Sequence, residues 1–413
     1  MKKNTIFVSI ASYRDSMCNA TISDLYKKAK YPENVFIGVC QQNVKENIEE
    51  KCDLDFDASV PKENIRVITI DSAESKGATF ARYWCSTLYD DEEFFFQCDS
   101  HMLFVENWDV KCISMIHQIE DLNMARAPYT MLSTYPPDIS EYDTYNESKK
   151  NTVTRICKFF FNSRGMLSQM GAEMIDSNGM PYKTPFVAGG FLFGYATMLK
   201  DVPFDPNLDF LFVGEEVLMS ARLFTHGYEI FTPPEVVCFH YYTRPKSPKI
   251  WSDKTYSDIP AFKKAMGMLE LDTVNTFELP DNITMNITKY GIGNVRSLKE
   301  FYDFIGADIA NKKVVKNFCR EGNIASDEDI QNSNENTISN TIQNTVKSIS
   351  SYGLSHSRKM LCLLVIMTLV LSSLIMYIVY NYKDIQKFIQ ELKEKKITVS
   401  IGEYLRNLLP HYK

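Results

Sequence analysis

The stretch FFFQCDSHMLFVENWD, Phe94 to Asp109, carries the decisive reading of this chain. Three consecutive phenylalanines behind Glu93 form a short apolar run, which predicts a buried β-strand over Glu93–Cys98. The run then stops on Asp99-Ser100-His101 before turning apolar again. If the strand continues through Asp99, residues two apart face the same way, so Asp99 and His101 point at one object. Ser100 between them is small and lets the backbone come close. A carboxylate and an imidazole suit a borderline divalent ion such as Mn2+ (or Mg2+). Two protein ligands leave positions open for phosphate oxygens. The plainer alternative is that Asp99 caps the next turn and His101 is an ordinary polar residue.

Working outward, Thr5–Ser12 (TIFVSIAS), Val35–Cys40 and Ile65–Ile70 (IRVITI) are further apolar, β-branched runs and read as buried strands. Ser16–Lys30 carries Ile22, Leu25, Tyr26 and Ala29 at helical spacing, with Pro32 after its end. Gly77–Tyr89 reads as a helix with Phe80, Trp84 and Leu88 on one face. Strands alternating with helices give an α/β domain with a mainly parallel sheet. Ligands of such sheets sit beyond the carboxyl ends of the strands, where Asp99 and His101 fall. From Ala127 to Pro185 the pattern weakens, and STYPPDISEYDTYNESKK predicts a long loop over the site. Thr184–Tyr195 returns to strand character, Val217–Thr225 is helical, and Glu235–Tyr242 is a strand.

Other motifs extend the chemistry. His240, in CFHYYTR, ends the last of these strands and is a candidate third metal ligand, or a packed core histidine. KGATFAR places Lys76 and Arg82 around a helix N-terminus, where backbone N–H groups favour an anion. FVGEEVLMSARL puts Glu215 and Glu216 after a glycine turn. There they either orient a hydroxyl or merely complement the helix dipole. Gly189 and Gly190, in AGG, allow backbone to approach a ligand, or mark a bulge.

Of 413 residues, 45% are hydrophobic and 23% charged, enough for a large core. The formal charge of -7 gives no basic excess for nucleic acid. Ten scattered cysteines without a CxxC pair read as mostly reduced, which favours a cytosolic-type environment. MKKNTIFVSIASYRD has a short apolar run without a cleavage pattern and reads as a first strand, not a signal peptide. Residues 321–358 are polar, rich in Asn, Ser and Thr, and read as a disordered stalk. Met360–Tyr380 is uncharged and long enough to span a bilayer. Residues 381–413 form a short basic, amphipathic tail. Five lysines after the span argue for a cytosolic tail, whereas a tail anchor behind a region with no signal to carry it across leaves the main domain in the cytosol, and the cysteine usage agrees; the latter orientation is the expectation here. Four N-x-S/T triplets begin at Asn19, Asn146, Asn282 and Asn286.

IFVSIASYRD, KGATFARYW, FFFQCDSHMLFVENWD, FVAGGFLFG and FVGEEVLMSARLFTHGYEIFTPPEVVCFHYY together resemble the GlcNAc-transferase family of retaining glycosyltransferases, over roughly Thr5 to Thr243. That family includes cytoplasmic enzymes acting on hydroxyproline. The layout is also similar to that of polypeptide N-acetylgalactosaminyltransferases. The resemblance implies a GT-A, Rossmann-like domain over residues 1–320 that binds a UDP-sugar, UDP-GlcNAc, through Mn2+. It implies Asp99, His101 and His240 as metal ligands, Glu215 as the glutamate of a G-G-E-N segment whose asparagine is here Glu216, and Gly189 and Gly190 near the sugar. It implies Ser12, Tyr13 and Arg14 at the nucleotide, with Arg82 on the helix before the metal strand. His240 is followed by Tyr-Tyr-Thr-Arg, a longer spacing to Arg244 than in the relatives. The expected function is a membrane-tethered transferase acting on a protein or glycan hydroxyl. The alternatives are an inactive GT-A scaffold and a metal-dependent hydrolase.

Overall fold

In the computed structural model, residues 2–53, 56, 60–170, 173–244, 247–271, 287–316 and 318–321 are described, all within one unit spanning residues 1–333. The expected stalk beyond residue 321, the apolar span 360–380 and the basic tail lie outside the described residues. Among the described residues, no helix is long and apolar enough to cross a membrane.

The strands are β1 (Lys2–Tyr13), β2 (Val35–Asn43), β3 (Ile65–Asp71), β4 (Glu92–Asp99), β5 (Met102–Phe104), β6 (Thr130–Ser133), β7 (Thr152–Arg155), β8 (Phe159–Phe161), β9 (Leu167–Gln169), β10 (Glu173–Asp176), β11 (Tyr182–Lys183), β12 (Phe191–Tyr195), β13 (Glu229–Thr232) and β14 (Cys238–His240). Eight of them form one sheet in the order β11-β13-β6-β12-β4-β1-β2-β3. The β4-β1-β2-β3 half is parallel throughout. β12 runs antiparallel between β4 and β6, so the sheet is mixed but mostly parallel. The helices that matter here are α1 (Cys18–Lys28), α2 (Ala78–Ser86), α3 (Trp108–Asp121), α4 (Met198–Asp201), α5 (Glu215–Thr225), α6 (Ile250–Asp253) and α7 (Ile259–Met268).

The phenylalanine run follows from the two-residue period of a strand buried on both faces. Phe94 and Phe96 join Ile6, Val8 and Ile10 in a core closed by Ile22 and Leu25 of α1 and Trp108, Cys112 and Ile116 of α3. Phe95 points the other way, with Phe7, into a core closed by Met198 and Leu199 of α4 and Met219 and Leu223 of α5. A third core joins α5, α7 and the helix Leu298–Ile305.

Three expectations need correction. The predicted α2 face of Phe80, Trp84 and Leu88 is not its core face: Trp84 is exposed, and Ala81, Arg82 and Cys85 are buried instead. Small residues let α2 lie close on Cys40 and Ala11 of the sheet, which large aromatics would prevent. Residues 127–185 are not one long loop: they supply β6 to the sheet, and β8 and β9 form a hairpin of their own. These strands are only three or four residues long, too short for a periodicity reading. Finally, Cys18–Cys52 and Cys157–Cys319 are disulfide-bonded, while Cys40, Cys85, Cys98, Cys112 and Cys238 are free and buried. The paired cysteines are 34 and 162 residues apart, so no local spacing announced them.

Candidate active site

β4 ends at Asp99, and the chain bends through Ser100 and His101 into the short strand β5. β5 pairs antiparallel with β14, placing His240 opposite Met102. That pairing brings the late histidine to the end of β4: His240 Nε2 lies 3.0 Å and His101 Nε2 3.9 Å from Asp99 Oδ2. Asp99, His101 and His240 each offer a ligand atom within 4.8 Å of the others.

The support behind them is buried. Asp15, fully buried, lies 2.7 Å from His101 Nδ1, accepts a 2.7 Å bond from the Ser100 hydroxyl and pairs with Arg244 at 3.1 Å. Burial opposes the charge on Asp15, but His101 and Ser100 outweigh it and hold the carboxyl below its ordinary range. Asp99 behaves alike. Burial would raise it, yet the His240 hydrogen bond, His101 and Arg82 hold it far below the usual carboxylate value.

These residues fit a divalent ion. The donor set is one carboxylate and two imidazoles. His101 has its second ring nitrogen on a buried carboxylate, the arrangement that orients ligating histidines. Residue 190 is glycine where an added Cβ would stand 2.8 Å from Asp99 Oδ2, so the space beside the carboxylate is kept clear.

A second constellation joins the glycine pair to α5. Arg82, buried on α2, forms an ion pair with Glu215 and donates to the Gly189 carbonyl at 3.1 Å. Gln97 Nε2 reaches the same carbonyl at 2.6 Å. Burial disfavours the Arg82 charge, but Glu215 and Asp99 more than offset it and its pKa rises. Glu216 accepts from Gly189 N–H at 2.7 Å, from Tyr135 Oη at 2.9 Å and from Gln169 Nε2 at 2.8 Å. Burial, then repulsion from Glu215, pushes the Glu216 carboxyl up to about 7, despite those donors.

Both constellations line one cleft of about 810 Å3. Of the predicted residues, Asp99, His101, His240, Glu215, Glu216, Gly189, Gly190, Arg82 and Tyr13 line it. Ser12, Arg14 and Lys76 are not among the lining residues. The Ser12 side chain is buried. Arg14 pairs with Glu50 at 3.0 Å and Asp253 at 2.7 Å, and Lys76 with Asp209 at 3.2 Å. Arg244 does line the cleft, and its buried Nε has no partner. Sequence reasoning missed Asp15, Tyr135, Gln169 and the segment 248–256. Asp15 had a usable signal, following Ser12-Tyr13-Arg14 at the end of β1. The others come from short irregular segments that carry no pattern.

The mouth of the cleft is aromatic and open. Phe212 is 62% exposed, Trp251 50%, Tyr242 46% and Phe160 42%, unusual values for large apolar rings that all line one cavity. The rings of Phe212 and Trp251 meet at 5.1 Å between centroids, and Phe210 stacks on Tyr256 at 4.4 Å. Tyr13 Oη donates to Asp253 of α6 at 2.6 Å, tying this segment to the end of β1.

Among solved structures, GalNAc-T7 with UDP, GalNAc and Mn2+ is similar at 15% identity and a TM-score of 0.46, over 77% of this chain and 56% of that one. This chain therefore spans little more than half of that protein's length. S. aureus TarS 1-349 in complex with UDP-GlcNAc is similar at 13% identity and a TM-score of 0.44, over 80% of this chain and 79% of that one. The mannosyltransferase PcManGT from Pyrobaculum calidifontis, with GDP-Man and Mn2+, is 9% identical with a TM-score of 0.35, over 88% and 80%. No curated protein sequence matches. The family model described as Glycosyltransferase (GlcNAc) matches residues 5–58 and 49–311, well over half of the 413 residues, and the chain belongs to that family.

Proposed function

We propose that the protein is a membrane-tethered GT-A glycosyltransferase that moves N-acetylglucosamine from UDP-GlcNAc to a hydroxyl of a protein (hydroxyproline, serine or threonine) or of a glycan, with retention of configuration. The observation that carries this reading is the convergence of Asp99, His101 and His240 on a cleft at the carboxyl ends of β1 and β4. A dead scaffold would gain ground if these three stood apart, and they do not. A hydrolase would want more acidic ligands and a water-activating base.

Asp99, His101 and His240 would hold Mn2+ or Mg2+, which when bound neutralises charge developing on a departing diphosphate. The protein's own contributions can be assigned. Asp15 fixes the His101 ring from behind. Arg82 and Arg244 bring positive charge to the cleft, favouring an anionic leaving group. Glu216 holds the Gly189 amide, and so the backbone turn that passes beside Asp99. With a carboxyl that titrates near neutral pH, Glu216 can also accept from or donate to an acceptor hydroxyl. Among the described residues no side chain stands out as a covalent nucleophile, and the acceptor hydroxyl is the attacking group. Phe160, Phe212 and Trp251 form the open end, where the acceptor enters.

The test uses the full chain in detergent, a panel of UDP-sugars with and without Mn2+, and Asp99→Ala as control. Mn2+-dependent UDP release from UDP-GlcNAc, absent in the variant, is expected. A folded protein showing neither release nor Mn2+-dependent UDP binding would leave the scaffold reading.

A further inference from the structure

We propose that Asn146 carries an N-linked glycan, so that the catalytic unit faces the lumenal side of its membrane. The proposal rests on the membrane tether of the proposed function, and not on the donor, the metal or the acceptor.

Asn146-Glu147-Ser148 is exposed in the fold, and the Glu147 side chain is 89% exposed. The segment is firmly presented. Tyr142 and Tyr145, just before it, pack edge-on against Phe239 of β14 at 5.3 and 5.4 Å between ring centroids. The turn brings the hydroxyl of the sequon onto its amide, while Asn146 Nδ2 donates to the Thr144 carbonyl at 3.3 Å. Ser148 N–H and Ser148 Oγ both donate to Asn146 Oδ1, at 3.0 and 2.6 Å. Donors on the amide oxygen draw charge from Nδ2 and make its proton easier to remove. In the transfer, Asn146 Nδ2 forms a bond to the anomeric carbon of a polyprenyl-diphosphate-linked oligosaccharide. The bond from that carbon to the diphosphate oxygen breaks, the lipid diphosphate leaves with the electron pair, and one amide proton goes to the transferring enzyme's base.

The triplet at Asn19 makes the contrast. It lies in α1, and its Thr21 hydroxyl is buried, donating to the Ser100 carbonyl at 3.0 Å and accepting from Met102 N–H at 2.9 Å. Folding uses that hydroxyl to position the metal strand. Asn282 and Asn286 lie outside the described residues.

Two independent observations favour the same side of the membrane. Cys18–Cys52 and Cys157–Cys319 are disulfides, and such bonds persist in oxidising compartments, where N-linked transfer also takes place. In the sequence, Lys383, Lys387, Lys393, Lys395 and Lys396 follow the apolar span, against Arg358 and Lys359 before it. That imbalance keeps the tail cytosolic and the preceding unit opposite. The two disulfides remove the support that the cysteine usage gave to a cytosol-facing unit.

The experiment expresses the full chain in eukaryotic cells and compares electrophoretic mobility before and after peptide-N-glycosidase. Wild type is expected to shift. Asn146→Gln and Ser148→Ala should each lose one glycan step, Ser148→Thr should keep it, and Asn19→Gln should change nothing. A second readout covers the chance of misfolding in a variant: in sealed microsomes, wild-type residues 1–320 should resist added protease until detergent is present. A step pattern unchanged by Asn146→Gln, or a catalytic unit digested without detergent, overturns the proposal.

Discussion

The two ends of the cleft are built by opposite rules. At the inner end, charged groups are buried or partly buried and each is held by a partner: Asp99 by His240, His101 by Asp15, Arg82 by Glu215, and Glu216 by the Gly189 amide. At the mouth, large rings stand in solvent, with Phe212 and Trp251 leaning on one another. The inner end grows from strand termini and one long-range pairing, β5 with β14. The mouth grows from the short elements β8 and α6 and from the segments before α5 and after β14. A buried charged network is costly to leave incomplete, so its geometry is over-determined. An aromatic rim contributes mainly when something covers it. On the proposed function, the inner end takes the common donor and the mouth is where an acceptor is chosen.

The sharpest way to break that comparison is at Asp99. Asp99→Asn keeps the shape but removes the only carboxylate among the three converging ligands, so donor turnover should fall about 100- to 1,000-fold or more, as when a central electrostatic contact is deleted. UDP release at saturating Mn2+ measures it. Turnover within tenfold of wild type would mean that the inner end is not the reaction centre.

Asp15→Asn probes one layer further out. Asp15 does not need to touch the ion; it orients His101 at 2.7 Å. Loss of such support typically weakens metal binding about 10- to 100-fold. The Mn2+ concentration giving half-maximal activity should rise accordingly, with much of the turnover recovered at high Mn2+. A fall in turnover with unchanged Mn2+ dependence would assign Asp15 a different role.

The same contrast explains what was legible in the sequence. Thr5–Ser12, Val35–Cys40 and Glu93–Cys98 lie in strands buried on both faces, and such strands read as unbroken apolar runs; Ile65–Ile70, expected to be buried, is the sheet's edge strand and is only partly covered. The three converging residues sit where those runs stop, so Asp99, His101 and His240 could be named as one candidate group. β6 could not, because four residues, Thr130 to Ser133, carry too little period to distinguish strand from loop. Nor could the true face of α2. Its contacts depend on how closely the helix lies on the sheet, and Ala81 and Cys85 signal closeness only once the sheet is known. Arg14 and Lys76 have cationic side chains that suited a phosphate, but nearby carboxylates took them instead. Tyr135, Gln169 and Trp251 converge from segments far apart in sequence, and no local pattern records that convergence.

Glu216, at the inner end, offers a pH test. Its folded pKa is raised from 4.5 to about 7 by burial and by Glu215. A raised carboxyl means that, between those values, the folded chain holds a proton the unfolded chain has lost. Stability from this group is thus complete below pH 4.5 and declines as pH climbs to about 7, above which the penalty is constant. Glu216→Gln should flatten that decline. Melting temperatures measured from pH 4 upward, for both proteins, should diverge across that window in favour of the variant. Parallel curves would place the Glu216 titration elsewhere.

The smallest expected effect is at the mouth, and it sharpens the comparison most. Trp251 touches no group of the inner network, and its main ring contact is Phe212. Trp251→Ala should leave UDP release from the donor alone within about twofold, because no buried charge loses its partner. It should instead weaken the acceptor by the value of one aromatic contact, about 1 kcal/mol or roughly fivefold in KM. The two readings come from the same preparation: donor hydrolysis without acceptor, and transfer across an acceptor series. A rise in acceptor KM with hydrolysis intact divides the cleft as its burial pattern does. Equal losses in both would mean that Trp251, by holding the segment that Asp253 ties to Tyr13, belongs to the donor end. The boundary between the common and the selective parts of the site would then lie further out, toward Phe160.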